Sequence, residues 1–167
     1  MKTRISLLFL ALPVLAAAAD KSPDESFYKD AAQGGLAEIE QGKLAQEKGQ
    51  SQAVKDFGAM MIKDHSAANK KLKAIADRKG IELPASPSIG ESTTKAKLSM
   101  LSGDTFDKSY IKGMVEDHKD DIKAFEKEAQ EGQDPDAKAF AAATLPTLKQ
   151  HLKKIESIAS GAGISVD

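Results

Sequence analysis

Met61-Ile62-Lys63-Asp64-His65 lies midway along a long stretch with helical periodicity, and Met114-Val115-Glu116-Asp117-His118 repeats its pattern midway along another. Around the first copy, Val54, Phe57, Gly58, Met61, Ala68, Leu72, Ile75 and Ala76 recur at the spacing of one helix face, and His65 falls on that face. Around the second, Phe106, Tyr110, Ile111, Met114, Ile122, Phe125 and Ala129 form the stripe, with His118 inside it. The remaining histidine, His151, shares a stripe with Phe140, Thr144, Leu148, Leu152, Ile155 and Ile158. All three histidines are therefore expected to point inward from three separate helices.

Outward from these stretches, capping and breaking residues delimit four long helices of about 26–48, 52–79, 104–131 and 135–160. Ser22 or Asp24 is expected to cap the first and Gly49 to stop it; Ser51 and Gly80 bound the second; Ser102 or Asp104 opens the third, which Gly132 closes. Asp134-Pro135 is a cap followed by proline at the first helical position. Pro146 is expected on the outward face of the last helix, where it removes one backbone hydrogen bond. In helix 1, Ala31, Ala32, Gly35, Ile39 and Gly42 are expected on one side, with Phe27, Glu38 and Ala45 at its edge. Gly34, Gly35 and Gly42 each cost about 1 kcal/mol of helix propensity relative to alanine, which points to close approach by a neighbouring helix. The link between the second and third long helices is long, with a short helix expected at about 92–101. Short outer links and a long central one predict an all-α four-helix bundle with a crossover between helices 2 and 3.

The N-terminus sets the compartment. Lys2 and Arg4 precede an apolar run from Ile5 to Leu15, and Ala17-Ala18-Ala19 supplies small residues for cleavage, so residues 1–19 are expected to be a cleaved signal peptide. The run is shorter than the about 20 residues of a spanning helix. No cysteine follows to carry a lipid, so a periplasmic or secreted protein is expected, with no membrane attachment once the leader is removed. Residues 20–167 then form one domain, of a size that buries roughly two-thirds of its unfolded surface. Losing Lys2 and Arg4 makes the formal charge more negative than −1, and the lysines are interleaved with acids, which argues against nucleic acid as a partner. With no cysteine, packing rather than disulfides must stabilise the fold. The chain shows no Ser/His/acid constellation, phosphate loop or cysteine metal knuckle.

The halves are also alike. Phe27, Lys29, Gly34 and Glu38 share their spacing with Phe106, Lys108, Gly113 and Asp117, and Lys55, Phe57, Ala59, Leu72 and Ile75 share theirs with Lys138, Phe140, Ala142, Ile155 and Ile158. Paired hairpins, a long crossover and inward acids and histidines resemble the ferritin-like superfamily. More specifically, the run Ala31 to Glu40, the two Met-x-x-Asp-His motifs and Thr144-Leu145-Pro146-Thr147-Leu148 resemble the bacterial family called domain of unknown function 4142. That resemblance implies an exported ferritin-like bundle and brings no established activity.

Di-iron ferritin-like proteins carry a glutamate on each of two helices and Glu-x-x-His on the other two. Glu38 and Asp117 fit the first requirement, but the paired positions read His65-x-x-Ala68 and Leu148-x-x-His151, so both paired acids are missing. This argues against a two-iron centre and leaves a single metal. The candidate ligands are Glu38, His65, Asp117 or His118, Asp121 and His151, a set suited to zinc, iron, copper or nickel, with Asp121 either ligating or orienting a ring. Met61 and Met114, one turn before their histidines, are expected in the core, with thioether ligation of copper as the alternative; Tyr110 is expected to reach a polar partner through its hydroxyl. Asp64 and Glu116 are expected to make only surface pairs. The leading functional reading is metal handling or envelope stress without catalysis. The alternatives are an envelope binding or scaffold protein with a metal-free polar core, and a metal-dependent oxidoreductase.

Overall fold

A computed structural model describes residues 24–166, so the expected leader at 1–19 and the candidate cap Ser22 lie outside the described residues. Within them the protein is all-helical: α1 (Glu25–Lys48), α2 (Gln52–Lys79), α3 (Ile89–Ser99), α4 (Gly103–Glu131) and α5 (Pro135–Gly161). No helix among the described residues is long and apolar enough to cross a membrane.

Most ends follow from local chemistry. Ser51 accepts from the Val54 amide, Asp134 accepts from the Asp136 amide, and Gly80 terminates α2 in the left-handed region at φ 68°. Pro146 is exposed and α5 runs on past it. The short helix starts three residues earlier than expected because Ser88 and Glu91 form a reciprocal capping box, each side chain serving the other's backbone amide. Asp24 departs from expectation too: it makes no side-chain cap on its own helix. Its carboxylate instead accepts the amides of Gln133 and Asp134 in the α4–α5 turn.

These contacts fix the topology. At one end, Lys48 donates to the Ser99 carbonyl and Asp107 accepts the Gln50 and Ser51 amides. At the other, Lys79 pairs with Asp134 and Asp136, and Tyr28 donates to Asp134. The starts of α2 and α4 therefore share one end and their finishes share the other. The link carrying α3 must return along the whole length of the molecule. It does so over α1 and α4, while α1 packs chiefly on α2 and α4 on α5, and the two hairpins meet through α1–α4 and α2–α5.

The buried arc of α1 is centred on Tyr28, Glu38, Gln41 and Ala45 rather than on Ile39, because α2, α3 and α4 all cover this helix. Of the glycines singled out for close approach, Gly42 fits best. A Cβ there would lie 2.7 Å from the Gly58 carbonyl oxygen, and one on Gly58 would lie 2.6 Å from the Gly42 carbonyl oxygen. Gly35 faces the Asn69 side chain, whereas Gly34 is not tightly packed, its nearest neighbours being 3.9 Å away. Gly58→Ala should lower stability by about 1–2 kcal/mol despite alanine's better helix propensity, since a backbone carbonyl cannot yield without separating α1 from α2. A denaturant midpoint at or above that of the parent would show that the helices do not cross so closely.

The apolar interior falls into two clusters. One gathers Ala45, Phe57, Met61, Tyr110, Met114 and Ile155; the other gathers Tyr28, Ala32, Leu72, Phe125, Phe140 and Leu148. On every long helix a polar residue separates the two: Glu38, His65, His118 and His151.

Candidate metal centre

The 3.6-residue period brings His65 (α2), His118 (α4) and His151 (α5) inward, at 7%, 0% and 1% exposure. Each offers one ring nitrogen, and these three atoms lie within 4.8 Å of one another. Phe57 meets the His118 and His151 rings edge-on, at centroid distances of 6.2 and 6.4 Å. A cavity of about 30 Å³, enough for roughly one water, is lined by His65, His151, Glu38, Asp64 and Asp121.

Each ring has one nitrogen facing an acceptor. His118 Nδ1 lies 2.9 Å from the Met114 carbonyl oxygen, and His151 Nε2 lies 3.0 Å from Asp64 Oδ2. Neither acceptor has a hydrogen to give, so the protons reside on those ring nitrogens. The other nitrogens, His118 Nε2 and His151 Nδ1, then present lone pairs to each other at 3.3 Å. Facing lone pairs repel unless a cation lies between them. The separation matches the edge of a tetrahedral nitrogen site, about 3.3 Å for bonds of 2.0–2.1 Å. His65 completes the set: Nδ1 lies 2.8 Å from Glu38 Oε2, and Nε2 is buried without a hydrogen-bond partner among the described residues. Imidazoles that ligate metals characteristically give their second nitrogen to a carboxylate or a backbone carbonyl, as His151 and His118 do here.

Electrostatics favour the ligating form. Burial is the main cause holding all three histidines below their usual pKa, His65 at about 4. The rings are therefore neutral at pH 7, as coordination requires. Glu38 is pushed up to about 7, chiefly by burial, with His118 opposing and Asp117 and Glu91 adding repulsion. Its oxygens approach His65 and His118 at 2.8 and 3.4 Å without hydrogen-bond alignment, leaving both orphaned in the interior. Such atoms are costly unless something polar or charged completes them.

The other candidates separate. Asp117 is half-buried, hydrogen-bonds with Gln41 and is raised to about 6 by burial. Together with Asp121 it lines a second cavity beneath α3; Asp121, raised well above its usual range by burial first and Glu38 next, also lines the histidine cavity. Of the three α4 candidates, His118 is the one that joins His65 and His151. Asp64 corrects the surface-pair expectation: it orients His151 across 87 residues of sequence, a pairing that no local pattern carries. Met61 and Met114 are fully buried in the apolar cluster. The Tyr110 hydroxyl, expected to find a partner, has none among the described residues, and burial together with the Glu38 charge raises its pKa.

Fold and site thus define an all-helical protein with a buried cluster of three neutral imidazoles. The family described as Domain of unknown function (DUF4142) matches residues 10–158, and the chain belongs to it. Among solved structures it is similar to a DUF305 fragment from Deinococcus radiodurans, with a TM-score of 0.73 and 14% identity, covering 83% of this chain and 97% of that one. It is also similar to CopM in the Cu(I)-bound form, with a TM-score of 0.68 and 14% identity, covering 83% of this chain and 96% of the other. At such identity both likenesses concern the fold alone. No curated protein matches the chain.

Proposed function

We propose that this protein is an exported, ferritin-like four-helix bundle that holds one transition-metal ion on His65, His118 and His151, and that it serves in metal handling or envelope stress rather than catalysis. The observation that carries the reading is the 3.3 Å approach of two ring nitrogens whose partners elsewhere leave both as lone pairs. Three neutral nitrogen donors suit copper, zinc or iron. Copper(I) is the first choice, because the fold is shared with a protein solved with that ion bound. Glu38, Asp64 and the Met114 carbonyl would orient the rings, and Asp121 stands beside them. When bound, the ion supplies the positive charge that the facing nitrogens and the Glu38 carboxylate lack.

A metal-free scaffold would have to satisfy His65 Nε2 and both Glu38 oxygens, which have no hydrogen-bond partner among the described residues, from a cavity with room for roughly one water, and each atom left over costs about 1–3 kcal/mol. Protein purified without a histidine tag should carry about one metal per chain by elemental analysis, or take up one equivalent of copper(I), zinc(II) or iron(II) at neutral pH. Failure to bind any of the three with at least micromolar affinity would leave the scaffold reading.

A further inference from the structure

We infer that the acidic cavity beneath α3 is the route by which a hydrated metal cation reaches the buried histidines. The inference rests on the histidine reading above and adds how the ion gets in. Rings exposed by 7% or less cannot be loaded from solvent without a passage. A cavity of about 380 Å³ lies where α3 crosses α1 and α4, and Glu38 and Asp121 line both it and the histidine cavity. Glu91, Asp117 and Asp120 also line it, and none of its described lining residues is basic. The innermost acid, Glu38, is 2% exposed and has no hydrogen-bond partner for either oxygen among the described residues, so an unsatisfied carboxylate stands at the junction.

Gly34 keeps the passage open. A Cβ on it would lie 3.9 Å from both Asp121 Oδ1 and Glu91 Oε1, so the two carboxylates flank the space that the missing side chain leaves. The capping box holds Glu91 there through its other oxygen, which accepts the Ser88 amide. A cleft lined by one sign of charge concentrates the opposite ion and speeds its arrival.

The test is stopped-flow loading of the metal-free full chain with cobalt(II), a coloured probe for nitrogen sites. Glu91→Gln with Asp120→Asn preserves the capping box, since glutamine serves there as well. This pair should slow association by about tenfold at 0.01 M salt, where charges act over roughly 30 Å, and the difference should vanish near 1 M. Gly34→Leu should slow association and dissociation together at every salt concentration, because a narrowed passage hinders both directions equally. All variants should end at one cobalt per chain. Association at the parent rate in both variants overturns the route while leaving the histidine site intact. A lower final stoichiometry for Glu91→Gln/Asp120→Asn makes those acids ligands and also overturns it. A parent chain that takes up neither cobalt(II) nor any of copper(I), zinc(II) and iron(II) removes the histidine reading and the route with it.

Discussion

His118→Ala and His151→Ala should each lose bound metal, with affinity reduced by more than 100-fold, while remaining folded by circular dichroism. Each change removes one of the two nitrogens that stand 3.3 Å apart, and His65 is the one other histidine of the chain. Asp64→Ala should have a smaller effect, roughly 10- to 100-fold, as expected for a group that orients a ligand without touching the ion. Asp64→Asn should fall nearer the parent, because an amide oxygen can still accept from His151 Nε2. Thermal melts with and without metal provide the check. A ligand that binds only the folded state raises the midpoint of the parent, by an amount equivalent to about 2.7 kcal/mol at a hundred times the dissociation constant. Full occupancy in both alanine variants would sink the assignment.

Glu38→Gln should stabilise the metal-free protein at pH 8 by up to roughly 3 kcal/mol and have little effect below about pH 4.5. Burial raises the folded-state pKa of Glu38 from 4.5 to about 7, so the native and unfolded chains both hold its proton in acid. The stability it contributes is complete below about 4.5 and drains away as pH climbs to about 7. His65 works in the opposite sense: its pKa is lowered to about 4, so its contribution is complete above 6.5 and is lost as pH falls toward 4. Because His65 is present in both proteins, it largely cancels from the comparison. Parallel pH–stability curves for parent and variant would refute the buried-carboxylate account. Holding an uncompensated acid in the interior is the kind of sacrifice of stability that functional sites make. The same substitution should weaken metal binding by about tenfold, since glutamine carries no charge to hold His65.

The sequence made much of this legible, for physical reasons. Helix ends were readable wherever a glycine stop or an oxygen-bearing cap stood beside them, as at Gly80, Ser51 and Asp134-Pro135. The start of α3 is not legible from Ser88-x-x-Glu91 alone, because Gly90 lies in its first turn and Pro84 and Pro87 stand just before it. The histidines were readable because a 3.6-residue period aims residues without reference to partners. The choice among Asp117, His118 and Asp121 was not: adjacent residues are about 100° apart on a helix, and packing sets its final rotation. Asp64 and Glu91 were beyond reach for a different reason, since their roles depend on helices distant in sequence. Gly34 and Gly42 looked equivalent, yet one borders open space and the other a carbonyl, a distinction that only the neighbouring helix creates.

The division of the interior into two apolar clusters by a layer of four polar residues has a mechanical consequence. Each end of the molecule owns its own oily plug, and cohesion between them runs through the backbones and through whatever completes the layer. An ion seated there would act as a rivet at mid-height, so its departure would loosen the waist while leaving both ends closed.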